Sequence, residues 1–349
     1  MRIRNISFFM IAAALLTSHA WGQSSFGVAK YAGEFMATGV GGRALAMGGA
    51  FVAVANDVTT AYWNPAGLMH LQYPEIGLMY ENRFGGLVNY NYGGVAWPFG
   101  SKYTVALTVT RLGVDDIPDT RKAFVLADVN GNGVLDPNER PDPKYITMFN
   151  SAVWAAYLSY AFRSTEDLSF GVNMKLLRWS LAEGSATGIG FDIGAHYAVT
   201  PRFTVGANIQ DVTTTLMAWN TGTNELISPT AKLGGAYAID FLGGTVTPAL
   251  DFDVMAENRK TASTAHLGPV SFNPRGGLEF AYKNLFAFRA GYSDVQTFSF
   301  GAGVHFPKLF LDYAFGQNPM GTDAAFKDPT HRISLRIMLE EKKFLRPVE

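Results

Sequence analysis

Between about residue 72 and residue 340 the chain alternates apolar and polar positions with a period of two. In SKYTVALTVTRL, Tyr103, Val105, Leu107 and Val109 alternate with Thr104, Ala106, Thr108 and Thr110. In DLSFGVNMKLLRW, Leu168, Phe170, Val172 and Met174 alternate with Ser169, Gly171, Asn173 and Lys175. GIGFDIGAHYAV sets Ile189, Phe191, Ile193, Ala195 and Tyr197 against Gly190, Asp192, Gly194 and His196, and RFTVGANIQ repeats the pattern from Phe203 to Gln210. Successive side chains of a strand point to opposite faces, so each segment predicts a strand with one apolar and one polar face. About fourteen segments of roughly ten residues follow one another, starting near residues 72, 86, 101, 148, 166, 186, 201, 227, 244, 270, 284, 295, 308 and 330.

Ten tilted residues match the thickness of an outer membrane, and closed bacterial barrels use an even number of strands. The connections alternate too. Short ones (PFGS, RSTED, TPR, FLGG, YKN, FPK) interleave with mostly longer ones such as 113–147, 213–226, 257–269 and 317–329, the rhythm of short periplasmic turns and long extracellular loops. A soluble β-sandwich also alternates, but it would turn its polar face to water. Here that face mixes many Gly and Ala with Lys175, Asp192, Lys232, Asp251, Asp253, Glu279, Arg289, Asp312, Arg332 and Arg336. Both signs of charge on one face suit a lumen whose charges pair across the barrel or meet a plug. The expected fold is all-β: a transmembrane outer-membrane β-barrel of about fourteen antiparallel strands over residues 72–340, in contact with outer-membrane lipid, with 341–349 as a periplasmic tail.

The segments before the barrel read differently. Residues 1–22 carry a basic start (MRIRN), an apolar run of about a dozen residues and a small-residue stretch, as a secretory signal peptide does, with cleavage expected after Ala20 or Gly22. The apolar run is too short to span a bilayer as a helix. Residues 23–71 form the expected plug: the part from Gly33 on is rich in small residues, does not alternate, and fits a compact segment with short helical turns. Pro65 fixes its own φ and drives Asn64 out of the helical region, which predicts a kink at Asn64-Pro65. The run GVGGRA fits a dinucleotide fingerprint only loosely, because no strand leads into it.

Composition narrows the function. A formal net charge of −1 gives no electrostatic footprint for nucleic acid. With no cysteine, thiolate chemistry and disulfides are excluded. None of the six histidines sits in a GxSxG elbow, an HExxH helix or another spacing with a mechanism, so an enzyme is not expected. One motif does carry chemistry. DVNGNGVLDPNE, residues 128–139, has the spacing of an EF-hand calcium loop. Asp128, Asn130 and Asn132 would offer side-chain oxygens, Val134 its carbonyl, Asp136 a direct or water-mediated contact and Glu139 two oxygens, with Gly133 at the sharp turn. Neither flank reads as a framing helix, and Pro137, Pro141 and Pro143 argue against an exiting one. The expected cofactor is a structural calcium ion ordering the extracellular connection 113–147.

The run GGRALAMGGAFVAVANDVTTAYWNPAGL, residues 41–68, resembles the N-terminal signature of the PorV/PorQ family of outer-membrane proteins and, more distantly, the long-chain fatty-acid transporter (FadL) family. The resemblance implies a fourteen-stranded barrel with an N-terminal plug, whose Asn-Pro-Ala motif maps onto Asn64, Pro65 and Ala66. It implies two roles. The closer likeness is to PorV, a partner of a type IX-like secretion system meeting a large translocon barrel and exported cargo proteins. The alternative is a FadL-like transporter or channel for long-chain fatty acids or other hydrophobic small molecules.

Overall fold

The computed structural model describes residues 38–137, 139–256, 263–293, 298–317 and 329–347. The expected signal peptide and the first part of the expected plug lie outside the described residues. Among the described residues, eighteen strands join in one sheet. They are β1 (Glu75–Arg83), β2 (Val88–Phe99), β3 (Tyr103–Asp119), β4 (Thr147–Arg163), β5 (Leu168–Leu181), β6 (Gly184–Ala198), β7 (Phe203–Gln210), β8 (Thr215–Trp219), β9 (Asn224–Ile227), β10 (Thr230–Tyr237), β11 (Ile239–Phe241), β12 (Gly244–Met255), β13 (Ala265–Leu267), β14 (Val270–Tyr282), β15 (Phe286–Tyr292), β16 (Phe298–His305), β17 (Leu309–Gln317) and β18 (Thr330–Met338). Among the described residues, three short α-helices interrupt the pattern: α1 (Gly42–Ala46), α2 (Thr60–Trp63) and α3 (Arg121–Ala127).

Fourteen strands make the wall, each antiparallel to its neighbour, and the sheet closes where β1 pairs with both β2 and β18. Closure leaves no edge strand and satisfies the backbone within the wall, as a spanning sheet in lipid must. The four remaining strands extend wall elements beyond their breaks. β8 continues β7 after the turn Asp211–Thr214, whose end residues have φ of 54° and 55°, and it pairs with β6 and β9. The expected loop 213–226 is therefore partly a hairpin that lengthens the wall. The connection expected at 113–147 is also shorter than its sequence suggested. β3 and β4 stay paired up to Asp119 and Thr147 across a register shift between Val114 and Ile117, leaving 120–146 as the loop.

The two faces follow the alternation. Leu107, Phe191 and Ile193 lie outward at 52%, 42% and 47% exposure, in a belt with Leu78, Leu158, Leu176, Leu250, Phe288 and Ile333. Near the end with the short turns, Phe99, Tyr103, Tyr160, Phe162 and Phe170 follow one another with ring centroids 5.3, 5.8, 6.2 and 5.8 Å apart. A band of lipid-facing aliphatics ending in an aromatic girdle is the signature of an outer-membrane barrel. All ten charged residues assigned to the inward face are buried.

Residues 38–71 fill the lumen. α1 packs on the inner faces of β15 to β18, and a 3₁₀ turn at Pro65–His70 packs on β3 to β6. α2 ends at Asn64, which is extended (φ −164°), and Pro65 opens the next turn, as the sequence predicted. The fit against the wall is close. A Cβ at Gly171 would come within 2.4 Å of the Pro65 carbonyl carbon, and one at Gly194 within 2.3 Å of Asn64 Oδ1. Lumen-facing glycines let the plug backbone approach the wall at these points. The chain end takes part as well: Arg346 is buried, and its guanidinium donates to the Met69 carbonyl at 2.6 Å and to the Thr104 hydroxyl. The stretch expected as a periplasmic tail is thus anchored to the floor at Arg346, while most of residues 341–347 stay exposed.

Candidate functional site

The plugged lumen is the site, and three layers of side chains define it. In the middle layer, wall carboxylates and amides take up the plug's backbone groups. Asp251 Oδ2 accepts from the Phe51 and Val52 N–H groups at 2.6 and 2.8 Å, and Glu75 accepts from Val58 N–H at 2.9 Å. Asn173 and Asn208 donate to the carbonyls of Ala61 and Trp63 at 2.8 and 2.9 Å. Asn64 Nδ2 bridges the carbonyls of Val52 and Ala195, both at 3.0 Å, while its Oδ1 accepts from Ala66 N–H. Ser169 reaches the Ala66 carbonyl at 3.0 Å. The Asn64-Pro65-Ala66 motif is thus the joint between plug and wall at β5 and β6. A non-helical segment buried in protein needs such partners for its backbone.

Charges in this layer pair in clusters. Glu279 accepts from Arg43 of the plug at 2.7 Å and from Arg289 at 2.6 Å, and Arg289 continues to Asp312 at 2.7 Å. Lys232 and Arg275 share Asp253 at 2.7 and 2.8 Å. Lys175 lies 2.7 Å from both Asp192 and Asp211. Arg332 holds Glu81 and donates to the carbonyl of Gly41, while Arg336 lies 3.5 Å from Asp57. Removing one partner of such a buried pair leaves an uncompensated charge, so the clusters that include Arg43, Asp57 and the Gly41 carbonyl fix the plug in place, and the other two pair charges within the wall.

The lower layer is a cavity of about 800 Å³ at the end with the short turns. The plug segment Ala53–Asn56, His70, His196, His305, Phe310 and Arg336 are among its lining residues. His196 donates from Nε2 to the Ala53 carbonyl at 3.0 Å, so its Nδ1 accepts from His70 Nε2 at 3.0 Å. The pair ties the plug floor to β6.

The upper layer is apolar. Leu112, Val153, Tyr157, Leu177, Trp179, Met217 and Trp219 face inward above the plug, and Tyr157 meets Tyr62 of the plug edge-on at 6.1 Å. Trp179 and Trp219 lie 5.2 Å apart, and the buried Trp219 indole N–H has no acceptor among the described residues. The hydrophobic pattern inverts here. On β5 the inward row runs Asn173, Lys175, Leu177, Trp179, and the outward row runs Met174, Leu176, Arg178. On β3 Leu112 turns inward while Arg111 turns outward. The sequence reading stopped at Lys175 and missed this chamber, although KLLRW carries the signal.

The calcium motif sits apart on the loop above β3. It is entered by α3, because RKAFVLA lacks Gly and Pro and can wind into a helix. That corrects the expectation that neither flank is helical; the exit is only a 3₁₀ turn at Pro143–Tyr145. Asp128 accepts from Asn132 and Gly133 N–H at 3.1 and 2.8 Å, and Glu139 accepts from Val129 and Asp136 N–H at 2.9 and 3.0 Å. Asn130 donates to Asp136 at 2.8 Å, and Val134 N–H reaches Asn132. The all-oxygen donor set suits a hard cation, and the chain winds so that Asp128 and Glu139 fold over one turn. Among the described residues, however, no three His, Asp or Glu side chains gather as a metal site.

These features define a class: a closed, fourteen-stranded outer-membrane β-barrel of the bacterial cell, plugged from its N-terminal side. No protein-family model matches the chain, and no curated protein matches it. Solved structures do. The Ralstonia pickettii toluene transporter TbuX superposes with a TM-score of 0.57 at 13% identity, over 86% of this chain and 98% of that one. The P. putida toluene transporter TodX gives 0.56 at 12%, over 85% and 96%, and a Pseudomonas aeruginosa FadL homologue gives 0.51 at 11%, over 84% and 96%. At these identities the likeness is one of fold, and that fold is FadL-like.

Proposed function

We propose that the protein passes hydrophobic small molecules across the outer membrane. The observation that carries this reading is the apolar, aromatic chamber formed by Leu112, Val153, Tyr157, Leu177, Trp179, Met217 and Trp219 above the plug. A water-filled porin lumen is polar along its length. Here the wall puts aliphatic and aromatic side chains inward and arginines outward at the outer end, the arrangement that would receive an apolar molecule. The plug then separates this chamber from the lower cavity, so passage requires the plug to yield where it is jointed, at Asn64-Pro65-Ala66. The neighbouring toluene transporters support the same class of ligand. They favour it over the secretion partnership that the PorV-like signature suggested.

The test is uptake of a hydrophobic fluorescent probe into liposomes holding the purified barrel. Wild type should accelerate uptake, and replacing both Trp179 and Trp219 with Asp should abolish the acceleration while heat-modifiable migration persists. Uptake unchanged in that variant would remove the chamber from the path. Recovery of a much larger barrel or exported cargo from native membranes, with no uptake, would restore the secretion role. On the loop, we propose that Asp128, Asn130, Asn132, Asp136 and Glu139, with the Val134 carbonyl, bind a calcium ion that orders residues 120–146 and does no chemistry.

A further inference from the structure

The inversion that makes the chamber apolar also leaves a row of polar side chains on the lipid-facing wall. In the register, Asn91 on β2 stands beside Arg111 on β3, Arg111 beside Trp154 on β4, Trp154 beside Arg178 on β5, and Arg178 beside Thr187 on β6. Trp154 is 45% exposed and Arg178 is exposed on the same face as Met174 and Leu176. Arg178 lies eight residues along β5 from Phe170 of the aromatic girdle, which is ~20 Å across the membrane for a strand tilted by about 40°. That places the row at the outer boundary of the apolar belt.

The charges there are not fully compensated. Arg178 donates one hydrogen bond, from Nη1 to the Thr187 hydroxyl at 2.9 Å, and has no carboxylate partner among the described residues. Arg111 donates to Asp115 at 3.1 Å and keeps its guanidinium carbon 5.8 Å from the centre of the Trp154 ring. Among the described residues, Arg111 thus has a carboxylate partner and Arg178 has none. The two arginines stand two strands apart, about 10 Å between backbones, a span that two flexible side chains close easily. Guanidinium is the cation suited to bidentate phosphate contacts and to stacking on an indole. A tryptophan between them supplies the amphipathic ring typical of the headgroup level.

We infer that Arg111 and Arg178, with Trp154 between them, hold the phosphate of an outer-leaflet lipid headgroup against this sector of the wall. The ligand class is a phosphorylated glycolipid. The acyl chains lie down the aliphatic rows below, and the sugar stacks on Trp154. The inference rests on the outer wall alone and stands whether or not the lumen conducts.

Native mass spectrometry of the full-length protein released from detergent decides it. The probes are bisphosphorylated lipid A, the same lipid stripped of its phosphates, and inorganic phosphate. The expected result is retention of the phosphorylated lipid alone, with at least a tenfold loss of affinity in Arg111→Gln/Arg178→Gln. Arg202→Gln, whose arginine pairs with Asp240 at the opposite end of the barrel, should bind as wild type does. Equal retention of the phosphorylated and stripped lipids overturns the inference, as does undiminished binding by the double variant. Inorganic phosphate that binds as tightly as the lipid would show an ion site and not a lipid site. Should the double variant fail to fold, the wild-type comparison of the two lipids still decides.

Discussion

An arginine scan along β6, paired with one truncation on β7, tests the wall and the plug together. Phe191 is the eighth of the fifteen residues of β6, faces lipid at 42% exposure and stands beside Met174, so it lies near mid-membrane. Phe191→Arg should cost about 2–4 kcal/mol there, whereas Thr187→Arg, four residues nearer the outer boundary and beside Arg178, should cost about 0–1 kcal/mol. Asn208 points the other way. From alternation alone a lumen position should tolerate truncation far better than the lipid face, but Asn208 is 1% exposed and its amide is the donor to the Trp63 carbonyl at 2.9 Å. Asn208→Ala strands that buried carbonyl, so about 1–3 kcal/mol is expected. Urea titration of folding into phospholipid vesicles, read by linear extrapolation, measures all three. An equal cost for arginine at 187 and 191 would show that the strand does not cross the bilayer in this register. A cost near zero for Asn208→Ala would show that the plug is not seated as described.

Four further outcomes follow from the same structure. Gly194→Leu should drive its side chain into Asn64 and Pro65, loosening the joint; residues 38–71 should become protease-sensitive while the wall keeps its heat-modifiable migration, and an unchanged digest would contradict the close fit. Pro65→Ala, which lets the joint straighten, should change probe uptake by severalfold in liposomes, and no change would take the joint out of the transport cycle. Glu139→Gln and Asp128→Ala should each abolish calcium-dependent protection of 120–146, magnesium should substitute poorly, and identical cleavage in millimolar calcium and in chelator would dispose of the metal proposal. Arg121, donating to Glu183 at 2.7 Å and to Asp119 at 2.6 Å, clasps the loop to the β5–β6 turn and holds the Glu183 carboxyl below the usual glutamate range. Because that folded value is depressed, the clasp's contribution is full above the ordinary glutamate pKa and is lost as pH falls through the lowered one. A carboxyl NMR titration of Glu183 should give a midpoint below 4.5 that Arg121→Gln restores.

Much of the wall was legible from the chain alone, because an extended backbone alternates its side chains and a two-sided environment writes itself into a period of two. That is why the fourteen strands, the ten buried lumen charges and the outward aliphatic rows are written in the sequence itself. The kink at Asn64-Pro65 was equally local, since the proline ring and its steric demand on the preceding residue act without help from the rest of the fold. What alternation cannot state is what a face meets. Asn208 and Asn173 read as lumen polarity, and only the seated plug shows them holding the carbonyls of Trp63 and Ala61. Arg346 read as part of a tail, and only the folded floor gives it Met69 and Thr104 as partners. Leu177, Trp179 and Met217 come from two segments some forty residues apart, and the chamber exists only because β8 continues the wall beyond the break at Asp211–Thr214. A period of two sorts residues between two faces, whereas closure of the sheet and insertion of the plug decide which contacts those faces make.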